Sequence, residues 1–384
     1  MSKLTPRGWQ VDALAIWERA NHRGIISVVT GGGKTVFALS CIERLRPIAT
    51  LIIVPTTALL EQWWEEAASY FSLELDEINI VTGSLRFRVG TINIAVLNTA
   101  AKLAEKMKAQ ECFLIVDECH RAASDYFRAA MQVKSFASLG LSATPERPYD
   151  EGLVDVLIPA LGPVIYSYDY AAALRDGVIV PFHLTNIVFE LEDECQAKYD
   201  NLSKAIARSI SKNGADAEET IALYLKRARV LNLSLNRIRL TLKLVASNMG
   251  KQTLVFHEDI EACDLIHKVL SENGIRSGVY HSKMKPRDRA AMLGRYRCGQ
   301  IDVLVTCRAL DEGFNVPETQ LGIIAASTAT RRQRIQRLGR VVRPAKGKTD
   351  AVIYTLVATG PEIARLKDEE ERLEGVATVS WSRA

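Results

Sequence analysis

Apolar residues along this chain come in short runs separated by polar or glycine-rich breaks. Ile25-Ile26-Ser27-Val28-Val29 stops at Thr30-Gly31-Gly32-Gly33, and a helical spacing of Phe37, Leu39, Ile42 and Leu45 follows. Leu51-Ile52-Ile53-Val54 ends at Pro55; Ile92-Ile94-Val96, Phe113-Leu114-Ile115-Val116 and the weaker Leu139-Gly140-Leu141 repeat the theme. Strands apolar on both faces, alternating with helices, predict a parallel sheet covered on each side. The character changes near Pro181. Residues 184–191 read as a strand, and from about Glu194 to Met249 the spacing is helical with a break at Asn213-Gly214. Strand–helix alternation then resumes with strands at 253–256, 277–280, 303–305, 321–324 and 351–354. The expected fold is therefore α/β: two units, with a helical segment inside or before the second.

Length supports this division, since 384 residues are too many for one core and fit two or three domains. Hydrophobic residues make up 48% and charged residues 24%, which argues against long disordered or fibrous tracts. No apolar run approaches the roughly 18 residues of a membrane span, and the start lacks the apolar stretch of a secretory signal. The expectation is a cytoplasmic protein with no membrane partner. The net charge of +4 does not by itself decide a nucleic-acid partner. Seven cysteines without a C-x-x-C pair point to reduced thiols rather than to a disulfide or zinc framework.

The chemistry is concentrated in two places. Thr30-Gly31-Gly32-Gly33-Lys34-Thr35 lies between a strand and a helix, where glycines let backbone N–H groups turn onto phosphate oxygens at a helix N-terminus. Lys34 can reach the β- and γ-phosphates of ATP, and the Thr35 hydroxyl can ligate Mg²⁺. The full glycine pattern is not met, because Val28 stands at its first glycine position. The second place is Asp117-Glu118-Cys119-His120, closing an apolar strand. Two carboxylates there sit at the carboxyl edge of the sheet; Asp117 would hold Mg²⁺ and Glu118 would polarise the attacking water. His120 is read as a coupling residue, with zinc ligation as the alternative. Trp63 and Trp64 are read as helix packing, with base stacking as the alternative.

With these motifs the chain resembles the superfamily 2 helicases, and most closely their XPB-type branch, which is also similar to restriction-enzyme motor subunits. Asp117–His120 resembles a DExH box, Ser142-Ala143-Thr144 the motif coupling hydrolysis to nucleic-acid binding, and 336–343 (QRLGRVVR) the closing arginine motif. Segments 51–63, 254–263, 280–284 and 306–318 match further motifs in the family's order. The resemblance implies two RecA-like parallel-sheet lobes: an ATP-binding lobe at 1–180, a connecting strand and helical, thumb-like element at 181–250, and a second lobe at 251–384. It implies an ATP-dependent DNA helicase or translocase that couples hydrolysis at the inter-lobe cleft to movement on, or remodelling of, duplex or branched DNA. By that resemblance Gln10 and Arg7 would contact ATP beside Thr30 to Thr35, and Gly313 would join them. Gln336, Arg340 and Arg343 would act on the γ-phosphate, Ser142 and Thr144 would couple the sites, and Thr56, Gly83, Thr99 and Thr306 would touch nucleic-acid phosphates.

Two segments are strongly basic. Residues 331–348 hold eight basic residues and no acid, some facing ATP and the rest facing solvent or phosphate. Residues 221–249 contain Lys226, Arg227, Arg229, Arg237, Arg239 and Lys243, again without an acid. They read either as a nucleic-acid track that includes Arg229 or as a helical linker. DNA is favoured over RNA as partner. An RNA helicase, or an ATP-switched motor subunit working with a nuclease in a restriction, defence or repair complex, are the alternatives.

Overall fold

The computed structural model describes residues 5–82, 87–107, 111–124, 127–144, 152–215, 217–307, 316, 319–326, 337–345, 347–370, 373 and 375–384. The chain divides into two compact units, Met1–Asp176 and Gly177–Ala384.

The first unit runs α1 (Gly8–Arg19), β1 (Arg23–Val28), α2 (Lys34–Leu45), β2 (Thr50–Val54), α3 (Thr57–Phe71), β3 (Asn79–Ile80), β4 (Ile92–Val96), α4 (Leu97–Met107), β5 (Cys112–Asp117), β6 (Ser135–Ser142), α5 (Ile158–Leu161), β7 (Val164–Tyr168) and α6 (Tyr170–Arg175). Its seven strands are parallel, in the order β3-β4-β2-β5-β6-β1-β7. Every residue of β2 and β5 is buried, because helices cover both faces, and this is why their sequences are unbroken apolar runs. Ile25, Leu51, Ile53, Leu114 and Val116 pack in one core with Leu157 and Leu161. Since all strands point the same way, the segments after β1, β2, β4, β5 and β6 emerge at one edge.

The second unit runs β8 (Phe182–Val188), α7 (Asp193–Asn213), α8 (Glu218–Asn232), α9 (Leu235–Ala246), β9 (Thr253–His257), α10 (Ile260–Glu272), β10 (Ser277–Tyr280), α11 (Pro286–Arg297), β11 (Val303–Cys307), β12 (Leu321–Ile324), β13 (Ala351–Val357), the helix Gly360–Glu370 and β14 (Ala377–Arg383). Its seven parallel strands are ordered β10-β11-β9-β12-β13-β8-β14. The helical stretch after β8 has two parts. α7 and α8 pack on each other, with Arg227 of α8 donating to Ser203 Oγ and standing over the Tyr199 ring. α9 instead belongs to the core, where Ile238 and Val245 join Val255, Ile266 and Leu270.

The hydrophobic pattern missed β3, β7 and β14. β3 is two residues long, and β7 and β14 are edge strands that pair on one side only, with β1 and β8. β14 reads ATVSWSR, alternating between half-buried and exposed, so it needs no continuous apolar run. Among the described residues no helix is long and apolar enough to cross a membrane.

Candidate active site

The glycine loop is tight and well supported. Val29 N donates to Tyr168 O at 3.1 Å, and Gly32 N donates to Val29 O at 3.0 Å. Gly31 (φ +86°) and Gly33 (φ +98°) occupy the left-handed region, which only glycine enters without strain. A Cβ on Gly32 would lie 2.5 Å from Val28 Cγ1 and 3.0 Å from Val29 O, so no side chain fits there either. Val28, the departure from the full glycine pattern, is the last buried residue of β1 and needs no glycine. Gly33 caps α2, so the free N–H groups of that helix open onto the loop. The Thr30 hydroxyl is buried with no hydrogen-bond partner among the described residues, and Thr35 is half-buried in the first turn of α2.

The segment entering α1 braces this loop from behind. Arg7 Nη1 and Trp9 Nε1 both donate to Gly32 O, at 2.9 and 3.1 Å, and Gln10 Nε2 donates to Gly33 O at 3.0 Å. Gln10 Oε1 accepts from Arg7 N at 2.8 Å, and the Trp9 ring stacks on Tyr168 with centroids 5.1 Å apart. Both ends of the Gln10 amide are therefore committed to backbone, and the residue is 4% exposed. The resemblance implied a contact of Gln10 with ATP; in the structure its amide holds the backbone of Arg7 and of the phosphate loop.

The carboxylates meet the loop from β5. Asp117 is the last residue of that strand and is buried. Its Oδ2 accepts from Trp63 Nε1 at 2.9 Å and its Oδ1 from Glu118 N at 2.9 Å. Burial raises the Asp117 carboxyl above the usual carboxylate range, while the nearby Lys34 ammonium pulls it down. Glu118 adopts φ +46°, ψ +47°, a left-handed conformation costing a non-glycine residue roughly 1–2 kcal/mol. That turn aims its carboxylate at the loop. Lys34 Nζ donates to Glu118 Oε1 at 3.1 Å, with both side chains largely buried. His120 Nδ1 lies 3.5 Å from Glu118 Oε2 and 2.9 Å from Ser142 Oγ, which also accepts from Thr144 N at 3.1 Å. A polar chain of Lys34, Glu118, His120, Ser142 and Thr144 thus crosses the ends of β1, β5 and β6. Cys119 points into the core.

The donor set fits a magnesium triphosphate. A buried carboxylate at Asp117 and hydroxyls at Thr30 and Thr35 are the hard oxygen ligands that Mg²⁺ takes. The N-terminus of α2 and Lys34 supply positive charge for phosphate.

Other residues fall in mixed positions. Thr56 caps α3, its hydroxyl accepting from Leu59 N at 3.4 Å, and Thr99 is half-buried in the first turn of α4. Both lie at the same sheet edge as the loop. Thr306 is 1% exposed inside β11, paired on both flanks with Tyr280 and Phe256. That burial removes it from the surface expected for a phosphate contact. Arg229 is exposed, and its guanidinium pairs with Glu261 at 2.8 Å and Asp259 at 3.5 Å, at the start of α10, so it ties α8 to α10. Arg237 of the same basic segment is fully buried against Glu362 at 3.2 Å. Lys226, Arg239 and Lys243 are exposed. Arg340 is buried in a helical segment at 337–341 and Arg343 is half-buried just beyond it. Arg337, not singled out by spacing, is buried in an ion pair with Glu258 at 2.5 Å. Lys348 donates to the carbonyls of Thr319 and Val341. Gly83, Gly313, Arg331, Arg332, Gln336 and Lys346 lie outside the described residues.

Two family models match the chain in this order. Residues 3–147 match the type III restriction enzyme res subunit, and residues 236–345 match the helicase conserved C-terminal domain. A seven-stranded parallel sheet carrying a phosphate loop and a DExH carboxylate pair, followed by a helicase C-terminal domain, is a superfamily 2 helicase, and the chain belongs to that class. Within it the chain is similar to proteins of the XPB type. It is 29% identical to the DNA 3'-5' translocase XPB2 of Sulfurisphaera tokodaii, over 95% of this chain and 84% of that protein. It is 27% identical to the DNA 3'-5' helicase XPB of Kineococcus radiotolerans, over 87% of this chain but only 57% of that protein. Among solved structures, the ATP-dependent type ISP restriction-modification enzyme LlaBIII bound to DNA shares the fold. Its TM-score is 0.66 at 14% identity, over 100% of this chain and 31% of that one.

Proposed function

We propose that this chain is an ATP-dependent DNA helicase or translocase that moves 3'-5' on duplex or branched DNA and uses the energy of ATP hydrolysis to do so. The observation that carries the reading is the contact of Lys34 with Glu118 across 84 residues of sequence, at the loop where α2 begins. When a triphosphate occupies the loop, the Lys34 ammonium turns to phosphate oxygens and releases the Glu118 carboxylate. Glu118 then accepts a hydrogen bond from the attacking water and orients it in line with the γ-phosphorus. Magnesium, held by Asp117 and Thr35, would offset phosphate charge. His120 links Glu118 to Ser142, so a shift of the segment after β6 is felt at the base. Arg340 and Arg343 are the proposed source of guanidinium charge for the transferring phosphoryl group, with Gln336 and Gly313 as further contacts. Thr56, Thr99 and Gly83 are the proposed phosphate-backbone contacts of the first unit.

The test is the ATPase rate with blunt duplex, forked and four-way DNA, single-stranded DNA and RNA. Duplex or branched DNA is expected to stimulate most, with a log–log salt slope near −0.9 per phosphate neutralised. Stimulation by RNA alone would overturn the reading. A second reading is supported by the match to a restriction-enzyme subunit: the same motor serving a nuclease or repair partner. ATPase that stays silent on every DNA until a second protein is added would favour it.

A further inference from the structure

The mechanism above makes no use of Trp63, which is fully buried in the second turn of α3 among Leu59, Leu60 and Ala67. Packing alone would be met by any large apolar side chain. An indole N–H in an apolar site needs an acceptor, and this one reaches Asp117 Oδ2 at 2.9 Å, 54 positions away in sequence. The Asp117 carboxylate is therefore gripped at both oxygens, by Trp63 Nε1 and by Glu118 N. A carboxylate offers about four acceptor sites, so roughly two stay free.

We propose that Trp63 is a positioning residue for magnesium: its N–H fixes the orientation of the Asp117 carboxylate, so that metal affinity depends on how α3 is seated. The inference rests on the ATPase reading above and names a further part of the same site. Because Thr56 caps the same helix, displacement of α3 at its start is transmitted to Asp117 through one rigid element. Partners that orient a metal ligand from behind typically cost 10–100-fold in metal affinity when removed.

The test uses the 384-residue chain carrying Glu118→Gln, expected to hold nucleotide without turning it over, and a fluorescent ATP analogue titrated with Mg²⁺ or Mn²⁺. Adding Trp63→Phe keeps an aromatic ring and deletes the donor. The metal concentration giving half-maximal tightening should rise about tenfold, which is 1.4 kcal/mol. Analogue affinity in EDTA should stay within about twofold. Trp63→Met, of different shape and equally without the N–H, should give the same shift, so folding failure of one variant leaves the other to decide. In an Asp117→Asn background the shift should shrink below about twofold, because there is no carboxylate left to orient. An unchanged metal midpoint, or an equal shift with and without Asp117, would overturn the inference while leaving the ATPase reading intact. A parent chain that binds no nucleotide would overturn both.

Discussion

Replacing Arg237 by methionine decides between a nucleic-acid track and a structural role for the basic segment at 221–249. The Arg237 guanidinium donates to Leu231 O at 3.1 Å, to Leu356 O at 2.9 Å and to Glu362 Oε1 at 3.2 Å. It also stands over the Phe189 ring at 5.0 Å. Methionine refills much of the volume but takes the guanidinium away from Glu362 Oε1, while donors from Ala358 and Thr359 stay on Oε2. Breaking one side of a buried pair costs about 3–5 kcal/mol, and two carbonyls left without donors add about 1 kcal/mol each before relaxation. Relaxation returns about 1 kcal/mol of that sum of about 5–7 kcal/mol, and a net loss of about 4–6 kcal/mol follows, a large part of the stability of an ordinary domain. With a urea slope of roughly 2 kcal/mol per molar, the midpoint of the second unit should fall by roughly 2–3 M. Urea unfolding of the whole chain, followed by circular dichroism, measures this. Adding Glu362→Gln removes the buried carboxylate charge and should return about 2 kcal/mol. A midpoint unchanged within about 0.5 M, together with lost DNA stimulation, would refute the reasoning and return Arg237 to a nucleic-acid surface.

Lys34→Ala should abolish ATP binding by calorimetry, whereas Glu118→Gln should keep ATP bound and stop its hydrolysis; normal turnover by the latter would remove Glu118 from the role of base. Arg340→Ala should leave ATP affinity within about twofold and lower the hydrolysis rate by about 10³-fold or more, read in single-turnover experiments. His257 gives a pH dependence. Burial, aided by the charges of Arg237 and Arg337, lowers its pKa to about 3 from the usual 6.5, so it folds neutral. The unfolded chain takes up the proton first. This part of the stability is complete above pH 6.5 and is lost as pH falls toward 3, at about 1.4 kcal/mol per unit. His257→Asn should flatten the stability profile of the second unit between pH 4 and 6, measured by urea unfolding.

Much of this protein is legible from local patterns. Unbroken apolar runs such as Leu51–Val54 mark central parallel strands because both faces of such strands are buried. Thr30–Thr35 and Asp117–His120 declare themselves because phosphate binding needs specific residue types at close spacing. Residue identity within a motif therefore determined the class of chemistry and the edge of the sheet where it sits. Side-chain partners were another matter. Arg229, Arg237 and Lys348 read in sequence as free cations, yet each finds partners supplied by distant chain: Glu261, Glu362 and the Thr319 carbonyl. Thr306 reads as a surface hydroxyl and is enclosed by strands on both flanks. The bond from Trp63 to Asp117 has no local signal at all, since α3 and β5 are brought together only by the order of strands in the sheet. Local sequence fixes which groups are available; the strand order and the packing of helices on it decide which of those groups are desolvated, and a desolvated charge or N–H must take whatever partner the fold puts beside it.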